Sequence, residues 1–148
     1  AWILNGVIKN GTGKSLKDIS NYIGGKTGTT NDNKDAWFVG FSSNIVVGVY
    51  VGNDMPSSLG DKETGGKVAA PIWGSFMKDA LAIYPSKPFK VPKNIEMVKV
   101  DHETGLLSAD NTNKTIYEAF VSGTAPTTYK IKPSGDVKNL KPLDGKVY

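Results

Sequence analysis

Cysteine and arginine are both absent from the 148 residues, and histidine occurs once, as His102. Without cysteine there is no disulfide, no thiolate nucleophile and no zinc–cysteine site. One histidine leaves little to hold a metal, and nothing in the pattern calls for a cofactor. All 18 basic residues are lysine. The chain therefore lacks the planar guanidinium fork that grips phosphate or guanine at two points. No run approaches the ~20 apolar residues of a membrane span, and no basic-then-apolar segment opens the chain. An opening Ala-Trp-Ile-Leu without an initiator methionine leads us to expect a longer polypeptide, with any N-terminal anchor outside this sequence.

What is present is ordinary globular composition, 39% hydrophobic and 22% charged, enough to bury a core. The net charge of +4 is uneven. Residues 130–148 carry five lysines and two aspartates, so +3 of it sits there. No aromatic ladder accompanies that charge, which reads as a flexible solvated tail and not as a nucleic-acid surface.

Ile3, Leu4, Val7 and Ile8 recur at helical spacing up to Asn10-Gly11, the end of a helix. Gly11-Thr12-Gly13-Lys14-Ser15 lacks the first glycine of a phosphate loop, because Ile8 stands in its place, and it follows a helix where that motif needs a strand. We expect a glycine turn with Ser15 capping a short helical turn. Three strands should follow, over 22–30, 36–42 and 45–52, joined by the short polar turns Asn31–Lys34 and Ser42–Asn44 as an antiparallel meander. The apolar density of the second and third suggests strands covered on both faces. From Val68 to Tyr84 a helix carries Ala69, Ile72, Trp73, Phe76, Met77, Ala80, Leu81 and Tyr84 on one side, with Pro71 in its first turn and Pro85 ending it. Beyond Pro85, prolines bound a stiff connector. A small hairpin is expected over Ile95–Val100, a turn at Asp101–Gly105 and Leu106-Leu107, then one short element at Ile116–Val121. Asp101, His102 and Glu103 are adjacent turn residues that point apart, and so make no metal site. From Thr124 onward the apolar period fades, and we expect an extended or disordered tail.

The stretch Gly24–Gly40 carries the chemistry. Lys26 stands among hydroxyls and glycines on a strand, so Lys26, Gly28 and Thr30 share one face and Thr27 and Thr29 the other. Such a strand offers an ammonium, hydroxyls and backbone N–H groups to an anion, and Gly25 and Gly28 would let that ligand approach the backbone. On the residues alone, a surface lysine guarding a strand edge explains Lys26 equally well.

Lys26-Thr27-Gly28-Thr29-Thr30, leading into Asp35-Ala36-Trp37-Phe38-Val39-Gly40, resembles the penicillin-binding proteins, in particular the transpeptidase domain of the class A bifunctional peptidoglycan synthases. Trp2–Gly13, Gly48–Asp54 and Ala70-Pro71-Ile72-Trp73 extend the resemblance through about residue 85. Glu118-Ala119-Phe120 and Gly123–Pro126 resemble the family's C-terminal extension more loosely. The resemblance implies an α+β fold: residues 1–85 as the C-terminal half of a penicillin-recognising transpeptidase domain, an antiparallel β-sheet with packing helices, and 86–148 as a small β-rich extension. It implies acyl transfer by a serine on D-Ala-D-Ala stem peptides, binding of β-lactams, and a location outside the cytoplasm beside an anchored membrane segment. By the same resemblance Lys26 supplies charge for the ligand carboxylate, Thr27 and Thr29 donate to it, and Gly28 and Thr30 line the strand. The backbone N–H of Thr29 then forms half of an oxyanion hole.

Of the family's motifs only Lys-Thr-Gly is present. Ser75-Phe76-Met77-Lys78 matches Ser-x-x-Lys but follows the lysine strand, where the family's nucleophile precedes it, so we read Ser75 as a coincidence and expect the chain alone to be inactive. The expected partners are stem peptides, β-lactams and the remainder of the polypeptide, or failing that a second copy, with no nucleic acid. A serine β-lactamase or D,D-carboxypeptidase is the nearest alternative, although some 120 residues follow the motif here. A non-catalytic wall-binding module is the alternative of another class.

Overall fold

The computed structural model describes residues 1–108 and 115–129, and the lysine-rich stretch 130–148 lies outside them. The chain divides into two compact units, Ala1–Val91 and a second beginning at Pro92. The division falls beyond Pro85 because the intervening residues are held by the first unit. The Lys87 N–H donates to Ser43 Oγ at 2.9 Å, and the Phe89 ring lies 5.5 Å from that of Phe41.

In the first unit α1 spans Trp2–Asn10, β1 Gly24–Thr29, β2 Asp35–Phe41, β3 Val46–Gly52 and α2 Ala69–Ile83, with a 3-10 turn at Lys14–Leu16. Gly13 occupies the N-cap of that turn and Ser15 lies inside it, so the expected Ser15 cap is not formed. The three strands make one antiparallel sheet in the order β1-β2-β3. The β1–β2 connection places Asp32 and Asn33 at φ 60 and 52, a left-handed conformation that these two residue types tolerate better than most.

The sheet has one packed face. Ala36 and Phe38 are fully buried, and Phe38 joins Ile8, Leu16, Ile23, Ala69, Ala70, Trp73 and Met77 in a core flanked by Val47 and Val49. Trp37, Val39, Val46 and Tyr50 on the other face are 43 to 75% exposed, which corrects the expectation of strands covered on both sides. Apolar density alone does not report that α1 and α2 both pack on the same side. Trp37 and Tyr50 shield each other across the strands, their rings 4.7 Å apart. On α2 the buried stripe is Ala69, Ala70, Trp73, Gly74 and Met77, while Ile72, Phe76 and Tyr84 are exposed. The helix is turned from the expected orientation because Gly74 lies against Leu16 and Ile19. Asn5 ties α1 to the segment that leads into β1, its Nδ2 donating to the carbonyls of Asn21 and Ile23 at 3.0 and 2.6 Å.

In the second unit β4 (Ile95–Asp101) pairs antiparallel with β5 (Thr115–Val121). The expected hairpin to Leu106-Leu107 is reduced to one bridge, Val100 to Leu107. Its turn is built by Asp101, whose Oδ1 accepts from the N–H groups of Glu103 and Thr104 and from the Thr104 hydroxyl, with Gly105 at φ 69 closing it. Leu107 also takes a parallel bridge from Tyr129, so the chain past Thr124 is held at that point and is not a free tail there.

Candidate functional site

β1 is an outer strand, and no strand among the described residues pairs with its far edge. The Thr30 N–H donates inward to the Asp35 carbonyl at 3.1 Å. Successive backbone groups alternate, so the Thr29 N–H points to the free edge. Lys26 stands exposed on the uncovered face, opposite Val39. Its ammonium donates to the carbonyl of Thr27 at 2.9 Å, which brings the positive charge back against the strand.

The two threonines face the helices, as their alternation with Lys26 requires. Thr27 Oγ1 lies 2.9 Å from Thr12 Oγ1, on the turn after α1. Thr29 Oγ1 accepts the Gly65 N–H at 3.0 Å, from the turn that starts α2. Thr12, Thr27, Thr29, Thr64, Gly66 and Lys67 together line a shallow depression of about 440 Å³, with Lys67 paired to Glu63. Lys26, Gly28 and the outward Thr29 N–H thus sit along one strand beside a hydroxyl-rich hollow. The cluster offers donors and positive charge, the equipment for holding an oxyanion, and contains no nucleophile paired with a base.

Two expected residues are placed elsewhere. Thr30 lies past the end of β1, its Oγ1 accepting the Asp35 N–H at 2.8 Å, so it shapes the turn. Gly25 is buried, and a Cβ there would lie 2.7 Å from the Phe38 ring. Its missing side chain makes room for a core aromatic and not for a ligand, a correction to the sequence reading. Thr12, Thr64, Gly65 and Lys67 were not singled out by that reading. The hydroxyl–glycine–lysine mixture of Thr64-Gly65-Gly66-Lys67 resembles that of Lys26–Thr30 and was the available signal.

The family model "Penicillin-binding protein 1A, C-terminal domain" matches residues 91–132. The chain is 50% identical over 117 residues to penicillin-binding protein 1A of Rickettsia conorii, with 79% of this chain and 14% of that protein aligned. It is 40% identical over 134 residues to penicillin-binding protein 1A of Pseudomonas aeruginosa, covering 90% of this chain and 16% of that one. A crystal structure of penicillin-binding protein 1A from Haemophilus influenzae superposes with a TM-score of 0.75 at 38% identity, over 86% of this chain and 20% of that one. The chain belongs to the penicillin-binding protein 1A family.

It spans about a sixth of the length of these curated penicillin-binding protein 1A relatives. The α+β architecture with antiparallel sheets agrees with the Haemophilus penicillin-binding protein 1A structure. The family model starts at residue 91, so the Lys26–Thr30 cluster lies outside the residues it matches. Ser75 and Lys78 line a different hollow, with Ser15, Asp18 and Gly74, from the one beside Thr27 and Thr29. Among the described residues no helix is long and apolar enough to cross a membrane.

Next to the site, the Tyr50 hydroxyl donates to Asp35 Oδ1 at 2.9 Å. That hydrogen bond, reinforced by partial burial and by the charges of Asp35 and Asp54, raises the phenol above its ordinary value near 10. A raised acid holds its proton more tightly when folded. The stability it adds is therefore full below about pH 10 and is lost as pH rises through the higher folded value. In an ultraviolet titration the Tyr50 phase, identified by its loss in Tyr50→Phe, should come late, above the ordinary phenol value, and should move down in Asp35→Asn. If Asp35→Asn left the late phase in place, the carboxylate would not be its cause.

Proposed function

We propose that this chain supplies the lysine strand of a serine D,D-transpeptidase of peptidoglycan synthesis, residues 1–85 being the C-terminal half of a transpeptidase domain of the penicillin-recognising fold and 86–148 its β-rich extension. The observation that supports this reading is a strand with a free outer edge that carries the Lys26 ammonium on its uncovered face, the Thr27 and Thr29 hydroxyls on its other face, and the outward Thr29 N–H between them. Membership of the penicillin-binding protein 1A family supports it.

In this mechanism a serine from elsewhere in the polypeptide attacks the carbonyl of the penultimate D-alanine. Lys26, Thr27 and Thr29 hold the terminal carboxylate of the peptide, or that of a β-lactam, with Gly28 keeping the strand open between them. The Thr29 N–H then meets the negative charge that builds on the carbonyl oxygen. Because the strand fixes its direction beforehand, the N–H needs no reorganisation at that moment. D-alanine leaves, and an amine of a neighbouring stem peptide takes the acyl group. Such chemistry belongs outside the cytoplasm, beside a membrane to which another part of the polypeptide is anchored.

Labelling with a fluorescent penicillin, followed by peptide mass mapping, tests the proposal. The 148-residue chain alone should stay unlabelled. The full-length polypeptide should be labelled on a serine that precedes Lys26 in sequence. An adduct on Ser75, or on any other serine of this chain, would overturn the assignment.

A further inference from the structure

The threonine hydroxyls of β1 are not left to rotate freely. An isolated threonine hydroxyl on an exposed strand can turn its proton through several directions. One whose oxygen is already engaged has fewer choices, and so loses less freedom when a ligand arrives. Both inward-facing hydroxyls of β1 have such a partner, each from a turn at the end of a different helix. Thr29 Oγ1 receives the Gly65 N–H at 3.0 Å, so its own proton remains available to a further acceptor. Thr27 Oγ1 meets Thr12 Oγ1 at 2.9 Å across fifteen residues of sequence. Thr12 stands between two glycines, with Gly13 N–H bonded to the Val7 carbonyl at 3.1 Å, so the turn after α1 sets its place. Thr12, Thr27 and Thr29 then line the same hollow.

We propose that Thr12 is a positioning residue, which holds the Thr27 hydroxyl where an anionic ligand on β1 meets it. This rests on the reading of Lys26–Thr30 as a carboxylate-binding strand. Thr12 touches the hydroxyl of Thr27 and acts through it. The Thr12–Thr27 pair is exposed, so its contribution to folding is small and its effect falls on binding.

The test is a double-substitution cycle in the full-length polypeptide, read as the second-order rate of acylation by benzylpenicillin and, separately, as thermal midpoint. Thr12→Val should slow acylation about three- to tenfold, the range of one ordinary hydrogen bond, with the loss in initial capture and not in the acylation step. Thr12→Ser, which keeps the hydroxyl, should stay within about twofold of the parent. With Thr27→Val already in place, Thr12→Val should have no further effect, because the hydroxyl it positions is gone. A purely structural Thr12 would slow both backgrounds equally and shift the midpoint in both, and that result overturns the proposal. The carboxylate reading fails by a different outcome. If Lys26→Ala leaves acylation unchanged, the strand is not the binding element, whatever Thr12 does.

Discussion

Lys26→Ala in the full-length polypeptide should slow acylation by penicillin on the order of 10- to 100-fold, the worth of a hydrogen bond to a charged group. The same change should alter folding stability by less than about 0.5 kcal/mol, as expected for an exposed side chain whose one hydrogen bond is to a neighbouring carbonyl. The two readouts separate because the ammonium rests on the strand surface and not in the core. Lys26→Arg should recover only part of the rate, since a planar guanidinium does not place its donors where a compact ammonium does. Stopped-flow acylation together with chemical denaturation checks both halves. A variant that lost stability wholesale but acylated at the parent rate would show that Lys26 guards an edge and binds nothing.

Gly65→Ala should have the largest effect on stability of any single methyl added to the site, about 2 to 4 kcal/mol. A Cβ at Gly65 would fall on the carbonyl oxygens of Trp37 and Gly28, well inside contact distance. Those are ladder atoms of β1 and β2 and cannot rotate aside as a side chain would. The turn must lift off the sheet, and the Gly65 N–H then leaves Thr29 Oγ1. Gly6 is the control. It lies inside α1 with nothing within 4 Å of its would-be Cβ, so Gly6→Ala should raise stability by roughly 0.5 to 1 kcal/mol through helix propensity. Thermal unfolding of both variants decides the matter. Equal midpoints would mean that the turn before α2 is not seated on Gly28.

The elements most legible in the sequence were those fixed by local chemistry. Apolar runs broken by Asn31–Lys34 and Ser42–Asn44 leave too few residues for anything but tight antiparallel connections, and the observed pairing follows. The helix over 69–83 was visible in its periodicity, but its orientation was not. That depends on Gly74 meeting Leu16 and Ile19, a contact between distant parts of the chain. The same limit hid the supports of the site. Lys26, Thr27 and Thr29 stand out as a local cluster, whereas Thr12 and Gly65 reach them from 15 and 36 residues away. The partner of β4 was missed for a further reason. The turn at Asp101–Gly105 is real, but the segment after it contributes one bridge, and the ladder forms with β5 instead.

The one-sided sheet also makes the molecule report optically on its own surroundings. Trp73 is fully buried, its indole N–H donating to the Val47 carbonyl at 3.2 Å, while Trp37 is 43% exposed on the bare face and Trp2 39% exposed on α1. Acrylamide in solution therefore reaches two of the three fluorophores and is barred from the third. Anything laid over the face of Trp37, Val39 and Tyr50 dims that collisional quenching without touching the emission of Trp73. With Trp2 changed to phenylalanine, the accessible fraction of the light comes from Trp37 alone. A loss of quenching that grows with protein concentration marks a second copy on that face.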